Sequence, residues 1–494
     1  MQKILHTFCT CVLFIFGVHP NCFAEKPNII LVVADDMGYA DMGTQGAVGF
    51  TTPHLDRLAS EGTRFTRFYV PQAVCTASRT ALMTGCYPNR LGMHGAYNHT
   101  SLDGIAHDEW LLPEMLKDVG YTTAGIGKWH LGTRMKFHPM RHGFDEWYGI
   151  PYSNDNSKFH PSLASEMPPL PLHDGKEIVE TDPDQSQFTK RFTDRAVKFI
   201  ERNASKPFFL YLPHVMPHVP IFASEKFRGS SQAGLYGDVI QELDWSIGEL
   251  VKALKKLELD EQTLFIFISD NGPFLSYGEH AGSAKPLREG KLTSFEGGVR
   301  VPCLVRWVGK VPAGRVDATP FIGMDWLPTI TDLVGGKPPT LPIDGRSAKD
   351  LILGTPRTTA THSILSFYSG TALQAVMRGS WKLHFDHPYI TPDGEPGHGG
   401  KPSNWGKLAP TSITQSGVEG IATRHGYRIE QIEQSLFNLD SDPGELTNVA
   451  ASHPEIVAEL TAIAESIRQD LGDSMRSVHG NGKRKPGYDN EEQR

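Results

Sequence analysis

Two apolar runs that stop at acidic residues constrain this chain most. "NIILVVADD" carries continuous, partly β-branched hydrophobics over 29–34 and then Asp35 and Asp36. "TLFIFISDNG" repeats the design, with an apolar run over 264–268 before Asp270 and Asn271. A strand with no polar alternation is buried on both faces, which places it inside a parallel sheet covered by helices. A third run, "PFFLYLP", leads into His214 and His218. Helical periodicity near 54–62, 193–203 and 236–257 separates the strands. The alternation predicts an α/β domain built on a large, mostly parallel sheet sandwiched by helices. Ligands of such sheets gather at the carboxyl ends of the strands, so three polar strand ends point to one site.

The 494 residues suffice for that domain, expected over 25–345, and a smaller one. Beyond about 345 the texture changes. "ALQAVMRGSWKLHF" reads as two antiparallel strands around a Gly-Ser turn, 388–420 as a long Gly/Pro/Ser-rich loop, and "HPEIVAELTAIAESIRQDLG" as a closing helix. This predicts a C-terminal α+β subdomain with an antiparallel sheet over 346–475 and a polar, disordered tail over 476–494. The net charge of -8 argues against non-specific nucleic-acid binding, so an anionic substrate needs a local basic pocket. Residues 1–24, with Lys3, an apolar stretch and Ala24 at the end, fit a signal peptide. An uncleaved anchor is the alternative, but the stretch is shorter than the ~20 residues a spanning helix needs. The expected product is an exported protein, periplasmic or secreted, with no membrane span after cleavage. Of six cysteines, Cys9, Cys11 and Cys22 leave with the leader. Cys75, Cys86 and Cys303 are no disulfide framework. Cys86 and Cys303 could pair, which leaves Cys75 to be explained.

Asp35, Asp36, Asp270 and Asn271 offer oxygen donors that suit a hard cation, Ca²⁺ or Mg²⁺, rather than zinc. Either pair alone would read as a solvated strand end. "GYTTAGIGKWHLG" ends a strand at Lys128 and His130; residues two apart face the same way, which suits anion binding and proton transfer. Pro217 between His214 and His218 argues against a continuous helix there. Lys291 lies in a Gly-bearing loop and could carry a cation to the pocket.

"AVCTASRTALMTG", residues 73–85, resembles the maturation signature of the type I sulfatases, the formylglycine-dependent, arylsulfatase-like enzymes of the alkaline phosphatase superfamily. "GYTTAGIGKWHLG" is similar to their second signature, and the two stand in the family's order between the Asp-Asp and Asp-Asn strand ends. The likeness covers most of 27–345. One departure is Ala77, where the family most often has proline; the Cys75–Arg79 spacing is intact. The resemblance implies a sulfuric-ester hydrolase acting on an aryl, steroid or carbohydrate sulfate. Cys75 would be converted to formylglycine by a sulfatase-maturing enzyme. Asp35, Asp36, Asp270 and Asn271, with residue 75, would hold Ca²⁺, less readily Mg²⁺. Arg79 would fix the nucleophile, and Lys128 and Lys291 would clamp the sulfate. His130 would be the base that eliminates sulfate, and His218 would assist the leaving group, with Ser153 as a further substrate contact. The alternatives are a formylglycine-dependent phosphate or phosphonate ester hydrolase and a catalytically silent binder of sulfated glycans.

Overall fold

Strand β1 (Asn28–Ala34) is buried along its whole length in the computed structural model, which describes residues 26–356, 360–415 and 417–490. Its side chains alternate between two cores. Ile29, Leu31 and Val33 join one; Ile30, Val32 and Ala34 join the other. That is the packing its unbroken hydrophobicity requires. The main sheet continues with β2 (Thr63–Phe65), β3 (Thr122–Lys128), β4 (Glu146–Ile150), β5 (Pro171–Asp174), β6 (Glu177–Thr181), β7 (Phe208–Pro213), β8 (Thr263–Ser269), β9 (Cys303–Arg306) and β10 (Arg315–Asp317). The spatial order is β10-β2-β9-β8-β1-β7-β3-β4-β5-β6. The central run β8-β1-β7-β3-β4 is parallel, and antiparallel pairings flank it at β8-β9, β9-β2, β4-β5 and β5-β6.

Register puts the parallel strand ends at one level. Ala34 lies opposite Ser269 and Val33 opposite Pro213, so Asp35, Asp270 and His214 leave the sheet together. Lys128 pairs with Ile150. One face is covered by α1 (Pro53–Glu61), α3 (Phe188–Arg202) and α4 (Gly234–Lys256), which supply Leu55, Phe192, Phe199, Ile240 and Leu243. The other is covered by α2 (Cys75–Thr84) and α5 (Trp326–Val334).

The C-terminal sheet is antiparallel, with strands Leu365–Ser369, Ala372–Arg378, Trp381–His384 and Ser435–Asn438 in that order. The helix Pro454–Leu471 packs Leu460, Ala464 and Leu471 into the same core as Phe367, Leu373 and Leu383, and Tyr69 meets Phe367 there at 5.5 Å between ring centroids. This core is continuous with the α2 face of the main sheet.

The structure differs from the sequence reading in several places. The expected loop 388–420 begins as a strand, His387–Pro392, paired with Tyr427–Ile432, and ends in the helix Gly417–His425. Its Gly/Pro-rich middle is tied down by Gly397 and Ser403, whose N–H groups donate to the Ser276 carbonyl. The tail, expected to be disordered from 476, folds back as far as 490. Gly487–Tyr488 pairs with Asp103–Gly104, and Arg484 bonds Glu109 at 2.7 Å. Its polarity satisfies surface partners instead of water. Cys75, Cys86 and Cys303 are all free, so Cys86 and Cys303 do not pair. The expected signal peptide lies outside the described residues. No helix among the described residues is long and apolar enough to cross a membrane.

Many histidines are buried as neutral rings. Burial lowers His214 and His387 to about 3 and His138 and His142 to about 4, and holds His130, His384 and His425 well below the ordinary value. The unfolded chain binds these protons near pH 6.5 and the folded chain does not, so stability falls as pH drops below 6.5. Burial raises Asp41 and Asp244 to about 6 and Glu114 to about 7, so these carboxyls take up protons at higher pH in the folded chain and work in the opposite sense. The histidines prevail. Chemical denaturation should show the midpoint falling between pH 6.5 and 4; a midpoint that rises there contradicts this balance.

Candidate active site

The site forms where helix α2 meets the ends of β1, β3 and β8. All ten residues of α2 are buried, including Cys75 at its N-terminus. Its polar residues are consumed locally: Thr80 and Thr84 donate to the carbonyls of Thr76 and Thr80, each at 2.7 Å. The helix therefore presents its first turn, with the positive end of its dipole, at Cys75. Ala77 donates its N–H to the Gly95 carbonyl at 3.3 Å, a bond that proline at this position could not make.

Cys75 Sγ lies 3.3 Å from Asp35 Oδ1 and 3.5 Å from Lys291 Nζ. Burial, reinforced by the Asp35 carboxylate, pushes its thiol well above the usual range. The thiol is thus a poor nucleophile as it stands, because the thiolate is the reactive form. Arg79, one helical turn on, has no exposed surface. Its Nε and Nη2 donate to Asp270 Oδ2 at 3.0 and 2.8 Å, its Nη1 donates to the Lys128 carbonyl at 2.9 Å, and its Nη2 lies 3.4 Å from Asp35 Oδ2. Lys128 Nζ donates to Asp35 Oδ2 and, at 3.3 Å, to Ser153 Oγ. Lys291 Nζ donates to both Asp36 oxygens at 2.7 and 2.8 Å. Burial disfavours charge on both lysines, but the facing carboxylates outweigh it and hold them above the ordinary lysine range. Burial likewise tends to raise Asp35, but Lys128 and Arg79 hold it lower than usual.

Asp36 takes a left-handed backbone conformation at φ 70, a cost that the surrounding bonds maintain. Its N–H donates to Asp270 Oδ1 at 3.1 Å, and its Oδ1 accepts from Asn271 Nδ2 at 2.7 Å. His218 Nε2 is 3.6 Å from Asp36 Oδ2 and 3.5 Å from Ser153 Oγ. Ligand atoms of Asp35, Asp36, Cys75 and His218 all lie within 4.8 Å of one another, and Asn271 Oδ1 is buried with no hydrogen-bond partner. A concentration of carboxylate oxygens with a spare amide oxygen fits a hard divalent cation. Asp35, Asp36 and Asp270 balance Arg79, Lys128 and Lys291 in formal charge, so a bound dication would leave the site positive for an anionic ester.

The sequence-selected residues therefore converge, with one change of reason. Strand β3 stops at Lys128, and His130 lies beyond it at φ 62, so the alternation rule does not orient it. The turn orients it instead. His130 Nε2 donates to the Tyr97 carbonyl at 2.6 Å, which leaves the buried Nδ1 lone pair unpartnered. Burial and the neighbouring Lys128 keep that ring neutral. Gly127 (φ 132) lets the strand pass β7 closely; a Cβ there would lie 1.9 Å from the Pro213 carbonyl oxygen. His214 turns away and bonds Ser246 Oγ of α4 at 3.1 Å. Tyr97, which fixes the His130 tautomer through its backbone, carries no sequence signal.

An α/β enzyme with a buried, cation-rimmed cysteine at a helix N-terminus has the construction of an ester hydrolase for anionic substrates, and the comparisons specify which. The Sulfatase family model matches 27–336, and the model for the C-terminal region of aryl-sulfatase matches 360–485. The chain belongs to the sulfatase family and is a sulfuric-ester hydrolase. It is 39% identical to the N-acetylgalactosamine-6-sulfatase of Sus scrofa over 93% of this chain and 89% of that protein. It is 36% identical to arylsulfatase A of Bos taurus over 88% and 86%. Among solved structures, the PsFucS1 sulfatase from Pseudoalteromonas sp. superimposes with a TM-score of 0.76 at 27% identity, covering 90% of both chains.

Proposed function

We propose that this hydrolase removes sulfate from a saccharide ester, with residue 75 as formylglycine and Ca²⁺ held by Asp35, Asp36, Asp270 and Asn271. The observation that carries the reading is Cys75 itself: a buried, protonated thiol in the middle of Arg79, Lys128, Lys291 and His218. A cysteine kept neutral cannot attack a sulfate ester, whereas the same position converted to an aldehyde hydrate can. A formylglycine hydrate at position 75 would supply one hydroxyl to displace the alcohol from sulfur and a second whose deprotonation would release sulfate and restore the aldehyde. Lys128 and Lys291 then neutralise sulfate oxygens, and Arg79 orients residue 75. His218, in reach of Ser153 and Asp36, donates to the departing ester oxygen. The free Nδ1 of His130 takes the proton whose removal expels sulfate. Relatives named N-acetylgalactosamine-6-sulfatase, at 35–39% identity, and a 27%-identical solved structure holding a neocarrahexaose support a carbohydrate ester. Conversion of Cys75 must precede folding, because only 1% of the residue is exposed. A maturation enzyme acting on the unfolded segment, and export guided by the leader, complete the proposal.

Rates on a sulfated saccharide, an aryl sulfate and an aryl phosphate diester, measured on one converted preparation, test the reading. Faster phosphodiester than sulfate cleavage would refute it. The metal has its own test. Chelation should lower sulfate hydrolysis by about 100-fold or more, and Ca²⁺ should restore it. Because Lys128, Lys291 and Arg79 already pair the carboxylates, the stripped chain should stay folded. Ca²⁺ at 100 times its Kd should then stabilise it by about 2.7 kcal/mol, read as a thermal shift. Unchanged activity and melting after chelation would remove the metal from the proposal.

A further inference from the structure

A second polar cluster lies on the His218 side of the site, and two of its donors lack partners, although Arg424 Nη1 donates to the Gln415 carbonyl. His160 Nδ1 accepts from the N–H groups of Ser162 and Leu163 at 3.2 and 3.0 Å, so the ring proton sits on Nε2. That nitrogen is buried with no hydrogen-bond partner, and so is Arg424 Nε. The two residues are only 3% and 8% exposed. His425 bonds Tyr277 OH through Nδ1 at 2.8 Å; its ring centroid lies 6.3 Å from that of His160 and 4.8 Å from that of Phe274. Phe274 also lies 4.7 Å from Lys291 Nζ and packs against His218 at 6.1 Å. The cluster therefore adjoins the sulfate-facing residues through one shared aromatic wall.

Asp155, half-buried and two residues after Ser153, lies near enough to His218, His160 and His425 to interact with them electrostatically, and its Oδ1 accepts from Asn156 Nδ2 at 3.0 Å. Burial tends to raise its carboxyl, but the imidazoles of His218 and His160 and the Asn156 amide hold it far below the usual range. A cavity of about 400 Å³ is lined by Phe159 and Pro161, the chain neighbours of His160, and by Pro220, His280 and Lys401 among others. Buried donors without partners cost free energy unless a ligand satisfies them. An apolar ring would leave them unpaired. A pyranose brings hydroxyl and ring oxygens to accept from them and hydroxyl protons to meet a carboxylate.

We infer that Asp155, His160, Arg424 and His425 form a subsite for the hydroxyl groups of a sugar leaving group, which selects sulfated saccharides over aryl and steroid sulfates. The inference rests on the sulfatase reading and deepens it. A site built to hydrogen-bond its substrate rejects analogues that lack those groups far more strongly than an apolar pocket can.

The test measures kcat/KM on a panel of sulfated monosaccharides, including N-acetylgalactosamine 6-sulfate, and on 4-nitrophenyl sulfate. It uses full-length protein whose residue-75 conversion is quantified. Asp155→Asn should lower the ratio of the best saccharide rate to the aryl rate by about 30- to 100-fold. Arg424→Met should do the same, and it keeps the inference testable if Asp155→Asn does not fold. Ratios within threefold of the parent for both variants would overturn the subsite. So would a parent enzyme that cleaves 4-nitrophenyl sulfate but none of the saccharides. Turnover of neither class by fully converted parent protein would overturn the hydrolytic mechanism itself, a distinct result.

Discussion

Replacing Cys75 with alanine is expected to lower sulfate-ester kcat/KM by at least ~10⁴-fold, the scale on which removal of a nucleophile is felt, while the chain stays folded. Helix α2 supplies the reason for both halves. The substitution removes one buried sulfur from a helix whose remaining nine residues are also buried, so the packing loss is small and the melting temperature should shift by only a few degrees. Lys128, Lys291 and Arg79 keep their carboxylate partners, because none depends on Sγ alone. Binding of a sulfate ester should therefore survive while the chemical step does not. Cys75→Ser separates the mechanism further. A serine hydroxyl could attack sulfur once but has no second hydroxyl with which to expel sulfate, so it should trap the sulfate ester rather than turn over. Steady turnover by either variant near the parent rate would rule out residue 75 as the nucleophile's origin.

Asp270→Ala should be the most damaging substitution for stability in this region. The guanidinium of Arg79, wholly buried, places two of its donors on Asp270 Oδ2. Asp270 Oδ1 also receives the N–H of Asp36, which is held at positive φ. Removing the carboxylate strands a buried cation and releases a strained residue together. Breaking a buried pair by deleting one partner costs roughly 3–5 kcal/mol. Equilibrium denaturation at neutral pH should show a loss of that size, accompanied by loss of the calcium-induced thermal shift. Asp270→Asn retains an acceptor oxygen and should recover part of the stability without restoring full metal affinity. A loss under about 1 kcal/mol for Asp270→Ala would mean that Arg79 finds other partners.

How much was legible in the sequence follows from how local each signal is. Strands β1 and β8 announced themselves because a doubly covered strand must be apolar at every position, and both ended at the acidic residues that the structure gathers. Lys128 was selected with His130 from the end of β3, on the rule that residues two apart on an extended chain face alike. His130 was selected from alternation, but alternation ends with the strand, and a left-handed residue re-aims the ring. The tail from 476 carries little hydrophobicity, so its partners at Glu109, Lys136 and Asp103–Gly104 had no trace in its composition. Loop 388–420 concealed a strand because His387–Pro392 finds its partner only across that loop. Asp155, His160, Arg424 and His425 carry no motif at all. They meet because the C-terminal helix Gly417–His425 is brought against the 154–163 loop, where Ser162 Oγ donates to the Arg424 carbonyl. Such a pairing is set by tertiary packing and not by any local pattern.

The central claim is covalent, and mass spectrometry of the peptide bearing residue 75 tests it most directly. Preparations expressed with and without a maturation enzyme should differ there by one sulfur and two hydrogens exchanged for one oxygen. Specific activity toward a sulfate ester should rise in proportion to the converted fraction and extrapolate to zero with none. Full turnover by protein in which that peptide still yields an intact, alkylatable thiol would contradict the account.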